Sequence, residues 1–215
     1  MKSPASMKLC VAGVSVAAVF AVGGCANMVG QEAFQPTPIG STWTYAQRNT
    51  GSFATQLGAG EVQVPNKLVQ RVWDGKQVNA YVSSQSTLLT SDDGSWLAWV
   101  GPDEKAWARY DPPLSFFPMT IGGKFESNFQ FTNASGQSVS VKYSCKVDAY
   151  EEVKVPAGTF KAFKIGCLYP SGTTDVFWLS PKLSIFVKTT SNRTAGNVFG
   201  VGTQEQVLVS QSFWK

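Results

Sequence analysis

The sequence predicts an all-β domain, mostly antiparallel, built as a curved sheet, half-open barrel or sandwich of about ten strands. Three observations carry this reading. Short runs alternate polar with aromatic or β-branched residues, as in Thr42-Trp43-Thr44-Tyr45 and Glu61-Val62-Gln63-Val64, which is the period-two pattern of half-buried strands. Turn signals separate these runs, and Asp74-Gly75 is the strongest of them. Finally, the 215 residues are 13% aromatic and only 15% charged, a composition too apolar for a disordered chain.

The first forty residues read as an address and a tether. Lys2 and Lys8 form a basic start, residues 9–22 an apolar run, and Gly23-Gly24 a small-residue step before Cys25. This is signal-peptide anatomy, and the run is too short for a comfortable membrane span. Val22-Gly23-Gly24-Cys25 resembles the lipobox of bacterial lipoproteins, in which cleavage occurs before a lipidated cysteine. The resemblance implies a signal peptide over 1–24, loss of Cys10, and a lipidated tether over 25–38. Ala26 stands where an aspartate would signal inner-membrane retention in proteobacterial lipoproteins, which implies an outer-membrane anchor facing the periplasm. Beyond Cys25 the chain carries 16 Lys+Arg against 14 Asp+Glu. That balance gives no reason to expect nucleic acid as a partner.

Residues 39–215 are long enough for one β domain with its own core. In chain order, strands are expected at 42–45, 61–64 and 67–73, with Pro65-Asn66 as a stop between the last two. Asp74-Gly75 turns the chain into a strand over 77–83. Residues 86–90 and 96–100 pair across Asp92-Asp93-Gly94, and Gly101-Pro102-Asp103 leads into 106–110. Asp111-Pro112-Pro113 breaks the chain and divides it into candidate halves, 39–113 and 114–215. Ile121-Gly122-Gly123-Lys124-Phe125 echoes Ile39-Gly40-Ser41-Thr42-Trp43, and Trp178-Leu179-Ser180-Pro181 echoes Trp99-Val100-Gly101-Pro102. These matches hint at a duplication.

The second half opens with a strand over 125–131 and another over 139–147. A hairpin then folds about Pro156-Ala157-Gly158, where Pro156 pre-sets φ and Gly158 can take a left-handed conformation. Strands at 175–179, 183–189 and 206–213 follow. Residues 155–162, Val-Pro-Ala-Gly-Thr-Phe-Lys-Ala, resemble a hairpin of uncharacterised bacterial periplasmic lipoproteins. Those proteins share a Gly-x-x-Trp-x-Tyr entry, here Gly40, Trp43 and Tyr45, and a Trp strand ending in Ser-Pro, here Trp178 to Pro181. The resemblance covers roughly residues 38–190, implies a curved antiparallel sheet like that of lipoprotein carriers, and brings no catalytic residues.

With Cys25 lipidated, Cys145 and Cys167 are the remaining pair in an oxidising compartment. A three-residue hairpin loop sets Cys167 opposite Val147, so that a bulge near Asp148 or Gly166 is needed for bonding. A four-residue loop would place the two cysteines on opposite faces. The chain has no histidine, which removes most zinc sites and His-dependent triads. No metal or cofactor motif is evident, and the adjacent pairs Asp92-Asp93 and Glu151-Glu152 cannot share a proton from neighbouring strand positions.

Four large rings, Trp96, Trp99, Trp107 and Tyr110, fall within 15 residues. Strict alternation sends some of them to opposite faces, so at least one should look outward or into a groove. They are the candidate ligand-binding residues. The expected function is a non-enzymatic envelope lipoprotein that binds a hydrophobic ligand or an envelope partner and meets the membrane through its lipid anchor. The alternative is an envelope hydrolase using Asp/Glu chemistry. Cys25→Ser should abolish incorporation of a clickable fatty acid into the protein in cells. Equal labelling of wild type and variant would refute the anchor.

Overall fold

The computed structural model describes residues 34–132, 136–197 and 200–213. The segments expected as signal peptide and lipidated tether, with Cys10 and Cys25, lie outside the described residues except for residues 34–38. Twelve strands run β1 (Thr42–Asn49), β2 (Gly60–Trp73), β3 (Lys76–Ser83), β4 (Thr87–Thr90), β5 (Trp96–Val100), β6 (Ala106–Leu114), β7 (Lys124–Thr132), β8 (Ser138–Val155), β9 (Gly158–Leu168), β10 (Thr174–Ser180), β11 (Ile185–Arg193) and β12 (Gly202–Gln211). Each pairs antiparallel with its sequence neighbours, and β1 pairs with β12, so the sheet closes into a barrel. The half-open alternative is thereby corrected to a closed one: β12 takes up the free ladder of β1, leaving no edge strand.

The cross-strand register explains why the alternation was readable. Leu68, Tyr81, Leu88, Trp99, Ala108 and Phe131 sit opposite one another in a single row across β2 to β7, and this row faces the lumen. The outward positions of β7 and β8, including Lys124, Glu126, Asn128, Gln130, Lys142 and Lys146, are exposed. Apolar side chains inside and polar ones outside are the reverse of a lipid-facing barrel wall.

A second row, Val69, Ala80, Leu89 and Ala98, lies on the other face of β2 to β5, yet Ala80, Leu89 and Ala98 are fully buried. The sheet rolls over to cover them. The β2–β3 tip reaches β6, where the Arg109 guanidinium sits 4.4 Å over the Trp73 ring and 2.7 Å from Asp74. The β8–β9 tip folds likewise, and the Ala157 N–H donates to the Leu208 carbonyl of β12. Strand segments buried on both faces lose the clean alternation of a surface strand.

Several expectations need correction. Pro65 does not end a strand. It lies inside β2, whose pairing with β3 begins only at Asn66, so a missing donor on that side costs no ladder bond. Asp111, Pro112 and Pro113 lie within β6, where pairing with β7 stops at Asp111. Residues Gly51–Leu57 form a helix, α1, in what reads as loop. Its one buried apolar residue is Phe53, held under the Arg193 guanidinium at 3.6 Å, and a single anchor leaves no helical periodicity to detect.

The Ile-Gly echo is a true structural repeat. Gly40 and Gly122 adopt φ values of 87° and 84°, the left-handed position of a tight turn. The Gly40 N–H donates to Leu68 O and the Leu68 N–H to Ser41 O; equivalently, the Gly122 N–H donates to Val147 O and the Val147 N–H to Gly123 O. Each turn therefore docks the start of one strand, β1 or β7, onto its successor, β2 or β8. The relation is a shift of six strands, which also maps the overhanging β2–β3 hairpin onto β8–β9. The Trp-x-x-Pro echo does not obey it: Trp99 is on β5 and Trp178 on β10.

The hairpin loop has two residues rather than three, with Val155 opposite Gly158. Continued regularly, that register would set Cys145 opposite Leu168, with Cys167 facing the other side. Asp148 is instead an extra residue between Val147 and Ala149. This bulge advances the register by one and places Cys145 opposite Cys167, with Cα atoms 4.0 Å apart and the sulfurs bonded. Gly166 makes room for it, since a Cβ there would lie 2.9 Å from the Asp148 carboxylate. Closing a loop of this length contributes about 3 kcal/mol. Urea unfolding with and without reductant should differ by about that amount. Equal curves, with two titratable thiols in the unreduced denatured protein, would contradict the bond.

Candidate functional site

The lumen contains a cavity of about 140 Å³. Its wall is aromatic. Trp96, 5% exposed, is the hub, with edge-to-face contacts to Trp99, Tyr110, Phe116, Phe177 and Phe186 at centroid distances of 5.1–6.0 Å. Trp99 stacks on Trp107 at 5.9 Å, and Trp107 meets Phe131.

The four sequence-derived candidates thus belong to one cluster, of which Trp96 and Trp99 line the cavity directly. Strict alternation would send them to opposite faces, and two bulges gather them instead. Against β4 the register slips between Leu89 and Thr90, with Leu97 as the extra residue, and against β6 it slips between Trp99 and Val100, with Trp107 as the extra residue. Each slip turns the next ring back to the same face. The sequence held no signal for either slip. It also gave no reason to join these rings to Trp43, Tyr45, Tyr81, Leu88, Ile185 and Phe186, which line the same cavity from distant strands.

One mouth of the lumen is covered by residues 34–38. The Phe34 ring lines the cavity and packs edge-to-face on Phe117 at 5.2 Å. Gly94 permits this approach, since a Cβ there would lie 2.6 Å from the Phe34 ring. Farther along, the Thr37 hydroxyl donates to the Leu183 carbonyl at 2.7 Å, and the Ser184 hydroxyl donates to the Gln35 carbonyl. Pro36 and Pro38 have no N–H to offer a ladder, so side-chain contacts hold the segment as a strap across the mouth.

Toward the opposite mouth the lining becomes polar. The Gln206 side-chain amide donates to Gln47 Oε1, the Gln204 amide to Asn49 at 3.2 Å, and the Thr189 hydroxyl to Gln206 at 3.2 Å. Beside them the Tyr169 hydroxyl donates to Asp175 at 2.8 Å. Burial raises the Asp175 pKa, opposed by hydrogen bonds from Ser191 and Tyr169 and by the nearby Arg193 charge. Within the cavity itself no lining residue among those described is charged. No group of three or more His, Cys, Asp or Glu that could hold a metal is found among the described residues.

No protein-family model matches the chain, and no curated protein matches it. Solved structures resemble it in part. A protein described as exported, with YmcC-like fold, from Bacteroides fragilis shares 13% identity at a TM-score of 0.43, over 84% of this chain and 99% of that one. One described as a lipoprotein, from Parabacteroides distasonis, shares 11% at 0.41, over 85% and 100%. The hypothetical lipoprotein YmcC from Escherichia coli shares 11% at 0.44, over 80% and 85%.

The lumen also sets a pH limit. Burial raises the phenol pKa of Tyr45, Tyr81, Tyr110, Tyr143 and Tyr169. The folded state therefore favours the neutral phenol. Its stabilising contribution is whole below the unfolded pKa of about 10 and is lost as pH rises from there toward the folded values, by up to about 1.4 kcal/mol per pH unit for each tyrosine. Absorbance at 295 nm and far-UV circular dichroism should thus change together in one alkaline transition. Ionisation of several tyrosines with the dichroism intact would contradict this burial.

Proposed function

We propose that the protein is a non-enzymatic lipoprotein of the bacterial cell envelope, anchored through Cys25, that binds a small hydrophobic ligand in its barrel lumen. The observation that carries the ligand is the cavity: about 140 Å³, walled by rings and free of charge. An engineered apolar cavity of about this size holds benzene, so the lumen suits a single ring or a short chain end rather than a whole lipid. The anchor rests on the Val22 to Cys25 motif.

The hydrolase alternative would need two carboxylates facing one space. The buried carboxylate Asp175 is engaged by Tyr169 and Ser191, and no acidic partner is found for it among the described residues. The uncharged, largely aromatic lining supports binding over the chemistry of water attack.

Ser86 lines the cavity near the β3–β4 turn and is half-buried, so a larger residue can enter there without displacing the Trp96 cluster. Protein purified from cell envelopes should release about one equivalent of an organic-extractable small molecule on denaturation, detected by mass spectrometry. Ser86→Trp should retain less than a tenth of it at an unchanged melting temperature. Equal retention by the variant, or no bound compound in wild type, would refute lumen binding.

A further inference from the structure

Closure leaves no edge strand, but the rim is stepped, and two hairpins project past their neighbours. β2 pairs with β1 from Gly60 onward, while its pairing with β3 begins only at Asn66. β8 pairs with β7 from Ser138 onward, while its pairing with β9 begins only at Ser144. Each projecting hairpin therefore has one open side, along residues 60–65 and along residues 138–143. No backbone partner is found there among the described residues. The six-strand repeat relates the two openings.

The docked turns fix which groups line each opening. Leu68 bonds through its N–H and carbonyl to Ser41 and Gly40, on the β1 side, so alternation aims Glu61, Gln63 and Pro65 the other way. Val147 bonds in the same manner to the Gly122–Gly123 turn, on the β7 side, which aims Ser138, Ser140 and Lys142 into the second opening. The first opening is guarded. Pro65 has no N–H to offer, and Glu61 adds a charge, paired with Arg48 at 3.0 Å. The second opening lacks a proline. Its three outward-aimed residues are exposed, and each carries an N–H. Val139, on the face of buried Tyr143 and Cys145, is 57% exposed because no further strand lies against it.

We infer that residues 138–142 form a self-pairing edge, through which two copies of this chain join as an antiparallel, two-fold dimer centred on Ser140. An open, extended backbone is complementary to another extended backbone, and this stretch is complementary to itself. About a two-fold axis at Ser140, Ser140 meets Ser140, Ser138 meets Lys142, and Val139 meets Val141. The outward-aimed residues then exchange N–H and carbonyl groups across the axis. No like charges stand opposite each other, and Lys142 keeps its ion pair with Glu126 at 3.3 Å. Val139 and Val141 of both copies form one patch, which covers the exposed valine. The same operation on the first opening would set Glu61 against Pro65, which cannot donate. That guard decides the stoichiometry: two usable edges would add copies without end, whereas one closes as a pair. The inference is independent of lumen binding.

Light scattering on the full chain in detergent micelles, with the detergent mass subtracted, reads the oligomer. The protein mass should rise from monomer to dimer with concentration, because so short an interface associates weakly. Ser140→Asp sets like charges opposite each other and should hold the mass at the monomer value with an unchanged far-UV spectrum. In a hydrogen-bonded antiparallel pair the Cα atoms lie about 5.5 Å apart, within disulfide reach. Under mild oxidation Ser140→Cys should therefore run as a dimer that reductant dissolves. Gln63→Cys, at the centre of the guarded edge, should run as wild type does. A wild type that stays monomeric at every concentration, a dimer that survives Ser140→Asp, or cross-linking of Ser140→Cys no greater than that of Gln63→Cys overturns the inference and leaves lumen binding standing.

Discussion

Closure of the sheet is the constraint on which the rest depends. Once β12 pairs with β1, no strand can shift register without carrying the whole ring with it, and each side chain is committed to the lumen or the outer face. A twelve-strand ring encloses more space than its side chains readily fill. The chain meets this in two ways. The hairpins β2–β3 and β8–β9 overhang and fold back, which moves part of the core to the outside of the wall, around Ala80, Leu89 and Ala98. The remaining lumen is packed with rings, and the residual space is the cavity. The cavity is thus the remainder of a packing problem, placed where the wall could not close on itself.

β-Bulges do the work that simple alternation cannot. The extra residue at Asp148 aligns two cysteines that the hairpin's own loop would set on opposite faces. The slips at Leu97 and Trp107 gather rings that alternation would scatter. In each case one unpaired residue converts a sequence offset of odd parity into a shared face. The lumen then inherits a graded character, with rings and a strap at one mouth and amides and tyrosines at the other.

The sequence disclosed the features that depend on local chemistry. The alternating runs around Trp43, Val78 and Phe129 are strands, Asp74-Gly75 is a hairpin turn, and the Ile-Gly echo is a repeated dock. Cys145 and Cys167 were legible as arms of one hairpin, although the loop length was one residue too long. What stayed hidden depends on parity and on distance. A bulge changes no composition, so nothing near Trp96 or Trp107 announces one. Pro65 and Pro112 read as breaks because a missing donor is visible in sequence, while the absence of a neighbour needing that donor is not. The cavity joins Trp43, Thr90, Trp96 and Phe186 from strands that only closure brings together. Thr90, which also lines the cavity, sits in an ordinary Thr-Leu-Leu-Thr strand.

The six-strand repeat has a consequence for how the chain is threaded. Because Gly40 and Gly122 dock their strands in the same way, the gap between β12 and β1 and the covalent link between β6 and β7 are equivalent stations, half a circumference apart on one rim. The termini mark no privileged seam. A gene cut in the β6–β7 link and rejoined between residues 213 and 38 would describe the same closed wall from a different starting point, with its leading segment emerging across the rim from where Phe34 now lies. Where such a barrel is moored is therefore separable from how it is built, and selection could move one while leaving the other untouched.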